Sequence, residues 1–127
     1  MSAACRVLVV DDNRDAADSQ AMLLRLDGHE IRVAYDPDEA LRIAAGFDPH
    51  VALIDLALPK KDGYELCTEL RKISPACRMV AVSGYGDQEH VQRSRQAGFR
   101  RHLLKPVNPR QLAEIVDDQC DEASACS

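Results

Sequence analysis

Several classes of protein are excluded by what this 127-residue chain lacks. No apolar run approaches the roughly 18 residues needed to span a membrane, so no membrane insertion is expected. The opening "MSAACRVLVV" has no basic region ahead of its apolar stretch, which argues against a secretory signal. There is no excess of positive charge. The net charge is −5, whereas modules that hold nucleic acid by neutralising phosphates are usually basic, so no direct nucleic-acid binding is expected. Internal repeats and low-complexity linkers are also missing. The five cysteines include no C-x-x-C pair, and they read as ordinary thiols in a reducing, cytoplasmic compartment rather than as a disulfide or zinc framework. Cys67 is expected to pack on a helix, while Cys120 and Cys126 fall in the polar stretch "QCDEASACS".

What the chain does have is 46% hydrophobic residues, enough for one domain with a proper core. Five short apolar runs recur: Arg6–Val10, Ile31–Ala34, Val51–Ile54, Met79–Val82 and His102–Leu104. Helical signals lie between them. Ala17, Ala21 and Leu24 share one helix face by their i, i+4, i+7 spacing. Asp36-Pro37-Asp38-Glu39 reads as a helix start, with Asp36 as cap, Pro37 in the first turn and Glu39 completing a capping box. Asn108-Pro109-Arg110-Gln111 repeats the pattern ahead of Leu112, Ile115 and Val116. The alternation is βαβαβαβαβα, which implies a parallel sheet with helices on both faces. Periodicity fades after about Asp118, so residues 1–118 are expected to form the domain and 119–127 a flexible polar tail. The segment Asp87–Ala97 is helical in pattern yet nearly devoid of apolar residues, as for a solvated helix lying loosely on the sheet or a mobile partner surface.

A parallel sheet gathers the C-terminal ends of its strands along one edge, where ligand sites lie. The residues just past each run are Asp11 and Asp12, then Asp55, then Ser83 and Gly84, then Lys105 and Pro106. Each has a structural explanation on its own: Asp12 or Asn13 as a helix cap, Ser83-Gly84 as a turn, Lys105 as a solvated cation. As a set they point to chemistry. Three close carboxylates raise one another's pKa unless a cation neutralises them, and an all-oxygen donor set suits Mg²⁺. An ammonium and a hydroxyl opposite such an ion suit phosphoryl oxygens. No Ser, Cys or His at this edge is paired with a base as nucleophile, but a carboxylate can itself attack phosphorus.

The stretches "VLVVDDN", "VALIDLALPKKDGYEL", "VAVSGYG" and "HLLKPVN", in this order and spacing, resemble the receiver domain of two-component response regulators over about residues 5–118. The resemblance implies a single (βα)5 flavodoxin-like, doubly wound parallel sheet. It implies Asp55 as phosphoacceptor, Mg²⁺ held by Asp11, Asp12, Asp55 and the carbonyl of Ala57, Ser83 as switch hydroxyl and Lys105 as phosphate-binding lysine. It also implies a cis peptide before Pro106, and a partner that is a histidine kinase or a histidine phosphotransfer domain. Pro59 and Gly63 would shape the loop carrying Ala57. Ala57 and Tyr85 occupy the positions that tune phosphoryl lifetime in the family. Departures are Leu58 in place of the common methionine, Lys60-Lys61 in place of small or apolar residues, and His102 where the switch aromatic usually stands. "AVSGYGDQE" and "GFRRHLLKPV" look most similar to receivers attached to hybrid sensor kinases.

Two other readings share parts of this pattern. A haloacid-dehalogenase-like phosphatase also forms an aspartyl phosphate, but it wants an Asp two residues after the nucleophile, where Ala57 stands. A phosphorylation-independent interaction module on the same fold usually loses part of the acidic cluster or the lysine, and both are here. A flavodoxin relative fits poorly, because Asp11-Asp12-Asn13 would repel the flavin phosphate.

Overall fold

A computed structural model describes residues 4–58, 61–84 and 88–125. Five strands alternate with five helices: β1 (Arg6–Val10), α1 (Arg14–Leu26), β2 (Glu30–Ala34), α2 (Pro37–Phe47), β3 (Val51–Asp55), α3 (Gly63–Ile73), β4 (Arg78–Ser83), α4 (Gln88–Ala97), β5 (Phe99–Leu104) and α5 (Pro109–Ala125). The sheet order is β2-β1-β3-β4-β5, with every neighbouring pair parallel. This is the expected doubly wound (βα)5 arrangement.

Two apolar clusters sandwich the sheet, and the two-residue period of the strands sorts side chains between them. Val7, Val9, Val51, Leu53, Val80 and Val82 face α1 and α5, where Ala17, Ala21, Leu24, Leu112, Ile115 and Val116 close the layer. Leu8, Val10, Ala52, Ile54, Met79 and Ala81 face α2 and α3, against Ala40, Ala44, Leu66, Cys67 and Leu70. Burial on both faces explains why β3 and β4 read as unbroken apolar runs. Truncating a residue such as Leu53 to Ala should cost about 2–5 kcal/mol, since the close-packed layer cannot collapse around the void.

The helix starts follow their capping residues. Asn13 Oδ1 accepts from the Ala16 N–H at 3.1 Å, so Asn13, not Asp12, caps α1. Asp36 Oδ1 accepts from the Glu39 N–H at 2.8 Å. The Glu39 carboxylate reaches one residue further back than in a standard capping box, accepting from the Tyr35 N–H at 3.0 Å. Asn108 Oδ1 accepts from the N–H groups of Arg110 and Gln111 at the head of α5.

Two expectations need correction. The final helix does not fray after Asp118 but continues to Ala125, because Gln119 and Cys120 extend the buried stripe of Leu112, Ile115 and Val116 by helical spacing. That continuation takes Cys120 out of the polar tail and into the core, where it forms a disulfide with Cys5. The cysteines are therefore not all ordinary thiols; Cys67 and Cys77 are free and buried.

α4 keeps its expected polar character. Its first expected residue, Asp87, lies outside the described residues. Ser94 is the only buried residue among its described side chains, with Val91 and Ala97 half-buried. Arg93 instead ties α4 to α3, stacking 4.2 Å over the Tyr64 ring and lying 4.0 Å from the Asp62 carboxylate. No helix among the described residues is long and apolar enough to cross a membrane.

Candidate phosphoacceptor site

Asp55 is the last residue of β3, the central strand, and is only 3% exposed. A rigid strand therefore delivers a carboxylate to the sheet edge. Oδ1 accepts from the Ala57 N–H at 2.9 Å, and Oδ2 accepts from Lys105 Nζ at 2.9 Å. Lys105 follows β5 and also lies 3.9 Å from Asp11 Oδ2. The Lys105–Pro106 peptide is cis, as the resemblance implied.

Asp11 is buried just past β1, with Oδ1 accepting from the Asn13 N–H at 2.9 Å. Asp12 beside it is exposed. Oxygen atoms of Asp11, Asp12 and Asp55 lie within 4.8 Å of one another. Burial, with the neighbouring Asp55 charge adding to it, raises the Asp11 pKa from 3.8 to about 6, although the Asn13 N–H and Lys105 oppose the shift. Burial alone would lower the Lys105 pKa, but its hydrogen bond to Asp55 and the surrounding carboxylates outweigh that and raise it. One ammonium thus offsets only part of the negative charge held here. An all-oxygen group of carboxylates this close, one of them pushed toward protonation, fits a hard divalent cation such as Mg²⁺.

Ser83 ends β4 and is buried at the same edge; its carbonyl accepts from the Lys105 N–H at 2.8 Å. A cavity of about 240 Å³ opens beside it, lined by Leu56, Ala57, Tyr64, Gly84, His90 and Arg93 among others. His102 is half-buried on β5, with Nδ1 3.3 Å from the Ser94 hydroxyl of α4. The structure therefore brings Asp11, Asp12, Asp55, Ser83 and Lys105 to one edge and sets His102 of β5 against Ser94 of α4. Ala57, two residues after Asp55, is exposed. Tyr85, Pro59 and Lys60 lie outside the described residues.

Sequence reasoning undervalued Gly63. A Cβ there would lie 2.7 Å from the Leu56 Cα and 2.8 Å from the Asp55 carbonyl oxygen. The head of α3 folds back against the residue that carries the acid, with the Gly63 N–H donating to the Leu56 carbonyl at 3.2 Å. Only glycine permits that approach. Arg93 was also missed, because a cation on a polar helix gives no sign in sequence of the ring it covers.

An acidic edge with one lysine, at the carboxyl ends of a doubly wound sheet in this strand order, defines a phosphoacceptor module of the flavodoxin-like class. The model of the response regulator receiver domain family matches residues 7–117, and the chain belongs to that family. A CheY-like response regulator receiver domain protein from Methanospirillum hungatei JF-1 superposes with a TM-score of 0.91 at 32% identity, covering 98% of this chain and 100% of that one. The transcriptional regulatory protein PrrA of Mycobacterium tuberculosis is 38% identical over 114 residues, covering 87% of this chain and 46% of PrrA. A response regulator receiver protein of Anaeromyxobacter sp. (strain Fw109-5) is 35% identical over 102 residues, covering 80% of this chain and 43% of that protein. The chain thus spans under half the length of these two relatives. Receiver domains are signalling domains of two-component systems that work with histidine kinases or phosphotransfer proteins, and they are not enzymes in the general sense.

Proposed function

We propose that Asp55 accepts a phosphoryl group from a phosphohistidine on a histidine kinase or histidine phosphotransfer domain in the cytoplasm. The arrangement of Lys105, Asp55 and the Asp11–Asp12 pair at one strand edge carries this reading. The phosphorus–nitrogen bond breaks, a bond from phosphorus to the Asp55 carboxylate forms, and the donor imidazole leaves. Such transfers need in-line positioning and charge neutralisation more than covalent help. Asp11, Asp12, Asp55 and the Ala57 carbonyl would hold Mg²⁺, which would supply charge neutralisation at the phosphoryl oxygens. Lys105 would turn from the Asp55 oxygen to a phosphoryl oxygen, a short move for an ammonium on a flexible stem.

Ser83 would donate its hydroxyl to the new phosphate, drawing the loop after β4 and with it α4, whose packing is mostly polar. His102 would serve as the switch ring, since it already links β5 to α4 through Ser94. The donor helix has a candidate seat in the groove of about 350 Å³ between α1 and the start of α5, which includes Leu23 and Lys105. Leu23 and Leu26 lie three residues apart on α1 and are 38% and 79% exposed, an apolar strip that begins in this groove at Leu23.

The test is incubation with acetyl phosphate and Mg²⁺, followed by intact-mass measurement. One added phosphate is expected on the wild type and none on Asp55→Asn or in the presence of EDTA. A phosphate that survives either control would overturn the assignment.

A further inference from the structure

At the opposite edge of the sheet from Asp55, three buried side chains meet that the phosphoryl chemistry does not use. Cys5 precedes β1, His29 precedes β2 and Cys120 lies on α5, each at most 5% exposed. Their sulfur and ring-nitrogen atoms lie within 4.8 Å of one another. The two cysteines are joined as a disulfide, with their Cα atoms 6.0 Å apart. The imidazole is held on both sides. Its Nδ1 accepts from the Cys5 N–H at 3.2 Å, so Nε2 carries the proton and donates to Asp117 Oδ1 at 3.0 Å.

We propose that Cys5 and Cys120 form a reversible redox site, a disulfide that clasps the end of α5 to the head of β1 and opens to small thiols of the glutathione class. In the reducing direction, one thiolate attacks a sulfur of the protein bond and leaves a mixed disulfide and one protein thiolate. A second small thiolate then attacks the small-molecule sulfur of that mixed disulfide, and the other protein thiolate leaves. Two thiols are oxidised to one small disulfide, and two electrons and two protons end on Cys5 and Cys120.

Three observations support reversibility. Both sulfurs sit in terminal segments, one just ahead of the first strand and one in the latter part of the last helix, where local opening is least costly. A small thiol can therefore reach the bond without global unfolding. The reduced state is also provided for, since the two sulfurs and the His29 ring, whose nitrogens stay engaged with the Cys5 N–H and Asp117, are held in one buried cluster where the bond can re-form. Cys67 and Cys77 differ. They lie in the other apolar layer, and burial pushes their thiols up to about 11 and about 12, which keeps them unreactive.

The experiment equilibrates the full chain in glutathione buffers from fully reduced to fully oxidised, then acid-quenches, alkylates and maps the peptides. The Cys5–Cys120 linked peptide is expected to vanish in excess reduced glutathione under native conditions and to return with oxidised glutathione. Hydrogen exchange of α5 amides around Asp117–Glu122 should be at least about 10-fold faster in the reduced protein. Cys120→Ser should show the fast exchange in both buffers, and Cys5→Ser serves as the independent second variant. A link that persists in excess reduced glutathione until the protein is denatured would overturn the proposal, as would a link that never forms. So would a bond from Cys5 to Cys126 in its place, or one zinc per chain that shields both thiols until a chelator is added.

Discussion

Lys105 at the end of β5 reaches past the intervening β4 to place its Nζ 2.9 Å from Oδ2 of Asp55 at the end of β3. The ammonium is the nearest counter-charge to the acid, and it occupies ground that a divalent cation and a phosphoryl group would share. Lys105→Met should therefore bind Mg²⁺ more tightly while accepting phosphate from acetyl phosphate on the order of 10²-fold more slowly. Metal titration and mass-resolved labelling read the two effects separately. A parallel loss of both would mean that Lys105 only supports the local fold.

The pKa of Asp11 gives a signed prediction. Because burial and then Asp55 raise it from 3.8 to about 6, the folded protein binds this proton more tightly than the unfolded chain. Its contribution to stability is thus favourable at low pH and is lost as pH rises through about 6. Mg²⁺ favours the ionised form and reverses the cost. The rise in Tm on adding Mg²⁺ should be larger at pH 7.5 than at pH 5, and Asp11→Asn should flatten the difference. An equal rise at both pH values would count against it.

Gly63→Ala should destabilise the protein by about 1–3 kcal/mol, because the added methyl meets backbone atoms of Asp55 and Leu56 that cannot swing aside. Phosphorylation should slow as well, since the strain falls on the residue that bears the acid. Thermal melts and labelling rates check the two together; a variant that melts like wild type would show that the loop can yield.

Ala57 donates its N–H to Asp55 but offers no side-chain polar group to orient water. Self-dephosphorylation should be slow, and Ala57→Asn should quicken it, with little change in stability because the position is exposed. Tyr85→Glu should act in the same direction. Loss of phosphorylated mass after donor removal gives the rate. If neither variant turns over faster, these positions do not govern the lifetime.

Leu23→Asp on the α1 groove should impair transfer from a phosphohistidine protein at least about 10-fold, yet leave labelling by acetyl phosphate unchanged. Equal effects on both donors would place the defect at the acid instead of at docking.

Much of this was legible in the sequence for a physical reason. Strands buried on both faces must be continuously apolar, so β3 and β4 announced themselves, and parallel topology then placed Asp11, Asp55, Ser83 and Lys105 together without coordinates. The head of β5 was hidden because Arg100 and Arg101 are exposed and polar, and the strand begins at Phe99 instead of His102. The end of α5 was hidden for the converse reason. Gln119 and Cys120 are not strongly apolar, yet helical spacing buries both. That misreading also concealed the disulfide, since a cysteine assigned to a solvated tail suggests no partner across the sheet.

The polar seating of α4 has a thermodynamic consequence. Heat-capacity changes track apolar surface exposed to or withdrawn from water. Among its described side chains α4 buries only Ser94, and it is fastened by Arg93 over Tyr64 and by the Ser94–His102 contact. Shifting such a helix trades polar contacts and moves little apolar surface. The conformational response to phosphorylation should accordingly show a heat-capacity change near zero, so that the balance between its two states drifts only weakly with temperature.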